Sequence, residues 1–326
     1  MTRRAAGLML GLVIFAAALA VEAQQGERVY RLAVLRPGPP QPHLVKALVD
    51  GLRELGYVEG RNLVIEYRSA EGRVERFPEL AAELVRLGPD IIIPLSTAAA
   101  LAAKQATTTI PIVMVSPGEP VAAGLVASLA RPGGNLTGLT LEITPETSAK
   151  QLQLLTEIVP QLQRVAVLAN PTYAPNVARW TETQRAARSL EVTLVSAEVR
   201  AAAGIEGAFA SMRRERVRGV LVLGDPLVFT FRREIADLAA KNRLPSVSPY
   251  REGADAGGLI AYGASSTHVF RRIGAYVDKI LKGTRPGDLP IEQPTRFDLV
   301  INLKTARALG LTIPQSVLNQ ADDLIQ

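Results

Sequence analysis

Short apolar runs alternate along the chain with longer stretches whose apolar residues recur at helical spacing. The short runs are about five or six residues long and rich in β-branched residues, which is typical of buried strands. In the first half, predicted strands cover residues 30–35, 62–67, 90–95 and 110–115, with predicted helices at 43–56 and 76–88. This alternation predicts right-handed crossovers and a parallel sheet with helices on both faces.

The second half repeats the same alternation. Its predicted strands cover residues 164–170, 191–199, 219–225 and 244–249, and its predicted helices cover 174–189, 204–216 and 228–242. Residues 131–146 lie between the halves and are rich in glycine, threonine and proline, which is the composition of a boundary. The predicted fold class is α/β, with two doubly wound parallel-sheet lobes.

The composition fits a folded chain of two domains. The 326 residues include 48% hydrophobic and 21% charged residues, which excludes disorder, and no cysteine, which excludes disulfides and thiol chemistry. Residues 1–23 are predicted to be a signal peptide, because a basic start and an apolar stretch precede Val21-Glu22-Ala23. A retained membrane anchor is the alternative. Cleavage before Gln24, with no cysteine for a lipid, predicts a soluble periplasmic protein.

The charge gives no indication of a nucleic-acid partner. Removal of residues 1–23 takes away two of 37 basic and one of 31 acidic residues, which leaves a net charge of +5. The basic residues are scattered, as at 213–218, and aromatic residues are not interleaved with them. We therefore expect no binding to nucleic acid.

Motifs of catalysis are missing from the chain. It has no G-x-G-x-x-G after a strand, no P-loop, no G-x-S-x-G and no H-E-x-x-H. Its two histidines, His43 and His268, stand near the starts of helical segments, where capping or surface roles are commoner than catalysis. We expect a protein that is not an enzyme and has no cofactor or metal, although an exported α/β enzyme with unfamiliar residues stays an alternative.

Hydrogen-bonding residues follow the predicted strands, at the edge where open α/β sheets bind ligands. They are Arg36, Ser96, Thr97 and Ser116 in the first half, and Asn170, Tyr173, Asp225 and Tyr250 in the second. Ser96 or Thr97 is predicted to cap a helix that starts at Ala98, and the free amides of its first turn are suited to a carboxylate. The alternative, weighed equally, is that this residue only caps the helix and binds no ligand.

Three segments make the chain recognisable. They are "AALAAKQATTTIPIV" (99–113), "GEPVAAGLVASLARPGGNLTG" (118–138) and "AYVDKILKGTRPGDLPIEQPTRFDLVINLKTARALGLTIP" (275–314). With the signal peptide and the two matched lobes, they resemble the ABC-transporter substrate-binding proteins of the tryptophan/tyrosine type over essentially the whole mature chain.

The resemblance implies a type I periplasmic binding protein, with two lobes joined by a hinge of several strands. The N-terminal lobe would comprise residues 28–140 plus 263–285, and the C-terminal lobe 141–262 plus 296–326. Hinge strands are expected near 139–142, 259–263 and within 290–299. The resemblance also implies a monomer that closes on a small-molecule ligand and presents it to the membrane permease of an ABC importer.

An amino-acid-like ligand is the expected cargo. Its carboxylate would lie at Ser96 and Thr97, and its amino group near Asp225 or Glu119. Glu119 is a departure, because the family usually has aspartate at that position of the Gly-Glu-Pro-Val segment. Tyr173, Tyr250 and Tyr262 are the tyrosines expected to form an aromatic wall. A ligand-sensing receptor on the same fold is the alternative that the residues leave open.

Overall fold

The computed structural model of the chain describes residues 28–116, 119–141 and 144–326. The predicted signal peptide at 1–23 lies outside these ranges. The described residues form two sheets dominated by parallel pairs, each packed against helices, and this confirms the α/β fold class with two lobes. The lobe boundaries given above stay a prediction.

The first sheet has five parallel strands in the order β2-β1-β3-β4-β5. The strands are β1 (Tyr30–Arg36), β2 (Leu63–Ser69), β3 (Ile91–Pro94), β4 (Ile112–Ser116) and β5 (Leu136–Thr140). Three helices connect them: α1 (Pro42–Arg53), α2 (Phe77–Arg86) and α3 (Thr97–Ala106). Because β3 and β4 are buried at every residue, they read in sequence as continuous apolar runs rather than alternating ones.

The second sheet has seven strands in the order β12-β11-β10-β9-β8-β6-β7. The strands are β6 (Arg164–Ala169), β7 (Thr193–Glu198), β8 (Gly219–Val222), β9 (Ser246–Ser248), β10 (Ile260–Ala264), β11 (Phe297–Asn302) and β12 (Asp323–Ile325). All its pairs are parallel except β10 with β11, so this lobe departs from the purely parallel sheet that was predicted.

Nine helices accompany the second half of the chain that the structure describes. They are α4 (Pro145–Ile158), α5 (Pro175–Ser189), α6 (Ile205–Arg214), α7 (Pro226–Thr230), α8 (Arg232–Lys241), α9 (Arg251–Asp255), α10 (Ser266–Leu281), α11 (Leu303–Leu309) and α12 (Gln315–Leu318). The helix predicted at 228–242 is in fact two, α7 and α8. Helix α7 begins early because Asp225 caps it and Pro226 fits its first turn, which also ends strand β8 before residue 225.

Helix α10 follows a strand of the second sheet but packs against α1 of the first lobe. The two backbones are very close, since a Cβ atom added to Gly51 would lie 2.1 Å from the carbonyl oxygen of Arg271. A Cβ atom on Gly274 would likewise lie 2.6 Å from the backbone of Gly51. The pair of glycines lets α10 attach the returning chain to the first lobe.

The chain passes between the two sheets at three places. The first follows β5, and the second lies between β10 and α10. In the third, residues 289–292 bond to β5, with the amide of Glu292 donating to Gly138 O at 3.0 Å, before the chain enters β11. The second predicted hinge range, 259–263, lies mostly inside β10, and the crossing itself comes just after it.

Candidate functional site

A cavity of about 670 Å³, part of it open to solvent, lies between the two lobes. Most of its lining comes from the first lobe, and Phe229, Arg232 and Glu252 come from the second. The apolar lining residues include Val34, Leu44, Leu48, Leu95, Val115, Leu141 and Phe270.

Three polar side chains that line this cavity have buried atoms with no hydrogen-bond partner among the described residues. They are Arg36 at Nε, Gln41 at Oε1, and Glu252 at both carboxylate oxygens. Glu252 is only 2% exposed, and it is the second residue of α9. An unpaired buried carboxylate is costly, so folded proteins rarely keep one without a role. These atoms are suited to a ligand that carries both donors and acceptors.

Two arginines contribute positive charge from opposite walls. The Arg36 guanidinium lies 5.2 Å from the ring centroid of Tyr67, and that of Arg232 lies 5.0 Å from the ring of Phe229. Burial lowers the pKa of both arginines, and the charge of Glu252 partly opposes this for Arg232. Arginine nonetheless stays protonated at ordinary pH, so each remains a donor to an anionic group.

A wider depression of about 1260 Å³ adjoins the cavity and shares with it the segment 37–41, Arg232 and Glu252. At this depression His43 of α1 lies 3.9 Å from the carboxylate of Asp255 in α9, measured from Nε2 to Oδ2. The two residues belong to different lobes. Because the shared residues line both the cavity and the depression, they stand where the cavity opens toward solvent.

The residues predicted after β3 and β4 do meet in the fold. Ser96 is the N-cap of α3, and its Oγ accepts from the Ala99 amide at 3.1 Å. Thr97 Oγ1 and Ser116 Oγ lie 2.8 Å apart and are buried. The predicted cap is thus Ser96, and the helix starts at Thr97, one residue earlier than the predicted start at Ala98. These three side chains do not line the cavity of about 670 Å³.

The residues predicted after β6 and β8 form a separate polar cluster in the second lobe. Asp225 is 0% exposed, and its Oδ1 accepts from the amides of Leu227 and Val228 at 2.6 and 2.9 Å. The Asn176 side chain donates to Asp225 at 3.4 Å and to the backbone oxygen of Asn170 at 3.1 Å. Buried Arg179 donates to Gly224 O at 2.5 Å and completes the cluster.

Glu119 and Tyr173 join the two lobes directly. The Glu119 amide donates to the Tyr173 hydroxyl at 2.9 Å. Tyr173 also lies under the guanidinium of Arg179, at 5.6 Å from ring centroid to Cζ. Glu119 and Arg179 line another depression of about 860 Å³ on this side of the molecule.

The other two predicted tyrosines pack within the second lobe. Tyr250 is buried and meets Phe229 edge to face at 5.0 Å, so it supports a cavity residue from behind. Tyr262 stacks on Phe297 at 6.4 Å. Of the predicted site residues, therefore, Arg36 is the one that lines the cavity between the lobes. The binding roles assigned to the others stay predictions.

Sequence reasoning missed Gln41, Arg232 and Glu252. Gln41 and Glu252 each lie within a few residues of a strand end, Gln41 at the N-cap of α1 and Glu252 in the first turn of α9. A search extended one helical turn beyond each strand would have included both. Arg232 had no such signal, because it follows the unpredicted break between α7 and α8.

Two lobes around a mainly apolar cavity with a few unpartnered polar atoms are typical of a solute-binding protein of the two-lobe type. The family model described as ABC transporter substrate binding protein matches residues 33–325. The chain belongs to this family, as its resemblance to it predicted.

Relatives support the same assignment. The Tyrosine-binding protein of Clostridioides difficile (strain R20291) is 25% identical over 266 residues, which cover 82% of this chain and 76% of that protein. The solved ABC domain in complex with L-Trp from Streptococcus pneumoniae is 25% identical, has a TM-score of 0.75, and is covered completely by 91% of this chain. A conserved domain protein from Vibrio cholerae is 29% identical with the same TM-score and coverage.

The family is one of substrate-binding proteins, and the relatives described with tyrosine and L-Trp are solute-binding proteins, which confirms the prediction that the chain is not an enzyme. Within the residues that the structure describes, no helix is long and apolar enough to span a membrane. The same residues contain no group of three or more His, Cys, Asp or Glu side chains placed to hold a metal ion.

Proposed function

We propose that this protein is the exported solute-binding component of an ABC importer, with an amino acid or amino-acid-like cargo that it delivers to a membrane permease. The observation that carries the proposal is the set of unpartnered polar atoms, from both lobes, around an apolar cavity. A cargo that bonds to both walls holds the lobes together, because it stabilises the closed form by the contacts it gains there.

The charges in the cavity are complementary to those of an amino acid. The ammonium group has three donors, which match the carboxylate of Glu252 and the Oε1 atom of Gln41. The carboxylate group matches the guanidinium groups of Arg36 and Arg232. Two relatives are described with tyrosine and L-Trp as ligands, which supports the same class of cargo.

Export and delivery are supported by family membership and by the predicted signal peptide. The mature chain would begin near Gln24 and act in the periplasm as a monomer. Cell fractionation with N-terminal sequencing tests the first point. Loss of amino-acid uptake on deletion of the gene tests delivery, whereas a cell that keeps uptake and loses only a transcriptional response would contain a sensing receptor instead.

Replacement of Glu252 by glutamine tests the cavity as the binding site. We expect Glu252→Gln to weaken binding of the cargo by roughly 10- to 100-fold, because a charge-assisted hydrogen bond is lost. The same change should alter the stability of the ligand-free protein little, since it removes a buried carboxylate that has no hydrogen bond but also loses the attraction of that carboxylate to Arg232. Calorimetric titration across the proteinogenic amino acids, with thermal unfolding of the ligand-free protein, measures both effects.

The matched control is Glu234→Gln, which removes an exposed carboxylate from α8 and should change neither quantity. The bound cargo should be recovered chemically unchanged by mass spectrometry. If no amino acid binds the wild type, the proposed cargo class is wrong. If one binds equally well to Glu252→Gln, its site lies elsewhere.

A further inference from the structure

His43 and Asp255 approach each other from opposite lobes, at the wider depression next to the cavity. The distance from His43 Nε2 to Asp255 Oδ2 is 3.9 Å, and the two side chains are 32% and 31% exposed. His43 Nε2 itself is buried and has no hydrogen-bond partner among the described residues. Because a hydrogen bond needs about 2.7–3.2 Å, the two side chains must approach by roughly 1 Å more to form one.

This pair lies beside the atoms that the proposed function assigns to the ammonium group of the cargo. His43 is the second residue of α1 and follows its N-cap, Gln41, by two positions. Asp255 is the last residue of α9, whose first turn contains Glu252. A motion that closes the lobes on the cargo therefore also brings the histidine and the aspartate together.

The charges around His43 are nearly balanced. The charged residues that line the depression with it come from the turn after β2, from α8 and from α9, and they are Glu71, Arg232, Arg233, Glu252 and Asp255. Beyond Asp255, Arg251 Nε lies 3.4 Å from the aspartate, while Arg251 Nη2 lies 2.6 Å from Asp323 in β12. In α1 itself, Lys46 and Asp50 pair with each other. The surroundings of the pair therefore carry no excess of positive charge that would oppose a cation at His43.

We infer that His43 is a positioning residue for closure, whose protonated imidazole pairs with the Asp255 carboxylate across the lobes, so that capture of the cargo is coupled to proton uptake. The inference rests on the proposed function and adds to it a contact that the cargo does not touch. Histidine is the side chain whose charge ordinarily changes between pH 5 and 8. A contact that is stronger in the closed form stabilises that form and, by linkage, raises the affinity for a cargo that closes the lobes.

The composition of the chain helps to isolate this contact. The sequence has no cysteine and two histidines, His43 and His268. His268 lies in the first turn of α10 and lines neither the cavity nor the depression. Protonation of Glu252 or Asp255 in acid acts in the opposite direction, because it removes a negative charge that attracts the ammonium group or the imidazole. Tighter binding in acid is therefore the signature of the imidazole.

Titration calorimetry at about pH 5.5 and about pH 7.5, with L-tyrosine and L-tryptophan as probes, measures the coupling. A free amino acid keeps both of its charges over this range. We expect the wild type to bind about 2- to 5-fold more tightly at the lower pH, which is the size of effect typical of a partly exposed ion pair. His43→Gln should bind no more tightly at the lower pH. His268→Gln is the matched control and should keep the wild-type dependence.

His43→Lys separates an electrostatic role from a purely structural one. Lysine is positively charged at both pH values, so this variant should lose the pH dependence and yet bind at about pH 7.5 more tightly than His43→Gln does. If lysine and glutamine at this position weaken binding alike, the imidazole only packs between the lobes and the inference is wrong.

Small-angle scattering of the ligand-free protein gives a readout that needs no cargo. The wild type should have a smaller radius of gyration at about pH 5.5 than at about pH 7.5, and His43→Gln should show no such change. If the probes bind but the wild type and His43→Gln respond to pH in the same way, the inference is overturned and the proposed function stays intact. If no amino acid binds at either pH while the radius still depends on His43, the proposed cargo class is wrong and the coupling stands.

Discussion

Asp225 and Glu252 are two buried carboxylates of the same lobe with different surroundings. The Asp225 carboxylate accepts two backbone amides at the start of α7 and a side-chain amide from Asn176. The Glu252 carboxylate has no hydrogen-bond partner among the described residues. A carboxylate whose bonding capacity is already met stabilises the fold, whereas one that is unmet is available to a ligand.

Replacement of Asp225 by asparagine should change how stability depends on pH. Burial raises the pKa of Asp225, while the amides of Leu227 and Val228, the Asn176 amide and the charge of Arg179 act in the opposite direction. A folded-state pKa above the unfolded value gives stability that is present below the unfolded pKa and lost as pH rises through the folded pKa. Asparagine keeps an oxygen for the cap and removes the titration.

We therefore expect the wild type to lose stability relative to Asp225→Asn as pH rises from the ordinary aspartate pKa of about 4 toward neutral, as measured by urea unfolding. Glu206→Gln, which changes an exposed carboxylate in α6, is the control and should show no such trend. A difference that stays constant over this range would mean that the Asp225 carboxylate has the same pKa in both states.

Sequence alone could not show which of these two carboxylates has hydrogen-bond partners in the fold. Asp225 follows a strand and was predicted to bind the amino group of the ligand, while Glu252 lies two residues past Tyr250, where the search stopped. Which of them has partners depends on contacts made by Asn176 and by the turn at α7, far apart in the chain. Strand ends are visible in a hydrophobic pattern, but the bonding state of a side chain is not.

At the scale of elements, the strands and helices of both lobes follow from their apolar spacing with shifts of a few residues. The exceptions arise where tertiary contacts, rather than local sequence, determine the structure of an element. The antiparallel strand β11 enters its sheet only after residues 289–292 have paired with β5 of the other lobe. Glycine at position 51 of α1 is unfavourable for a helix by intrinsic propensity. Its presence is explained by the close approach of α10, which leaves no room for a side chain.

Two glycine-to-alanine changes should therefore have opposite effects. Gly51→Ala places a methyl group into the backbone of α10 and should destabilise the protein by about 1–3 kcal/mol or more. Gly207→Ala, on the exposed side of the first turn of α6 with no neighbouring atom within 4 Å of the added methyl, should stabilise it by up to about 1 kcal/mol. Chemical unfolding of both variants measures the difference, and a Gly51→Ala protein as stable as Gly207→Ala would contradict the close packing.

At the scale of the whole molecule, the lobes meet on both sides of the cavity. The Glu119 amide bonds to Tyr173 on one side, and His43 approaches Asp255 on the other. The two-lobe plan could be predicted from the repeated strand and helix pattern and from the family resemblance. These contacts could not, because they join loops and helix starts that lie 54 and 212 residues apart in the chain.

Loss of the Tyr173 hydroxyl should shift the molecule toward an open arrangement of its lobes. Tyr173→Phe keeps the ring beneath Arg179 and removes the acceptor of the Glu119 amide. A hydrogen bond contributes roughly 0.5–1.5 kcal/mol, so we expect cargo affinity to fall by about 2- to 10-fold. Small-angle scattering should also give a larger radius of gyration for the ligand-free variant than for the ligand-free wild type, because hinge motion separates the lobes.

Tyr30→Phe is the matched control, since its ring packs edge to face on Tyr57 inside the first lobe and its change should alter neither affinity nor size. Saturating cargo should return Tyr173→Phe to the compact dimensions of the wild type, because the ligand's own bonds to both lobes replace the missing one. The idea is wrong if ligand-free Tyr173→Phe has the same radius of gyration as the ligand-free wild type and binds the cargo as tightly. The bond between Glu119 and Tyr173 would then not contribute to closure, and closure would depend on the contacts around the cavity alone.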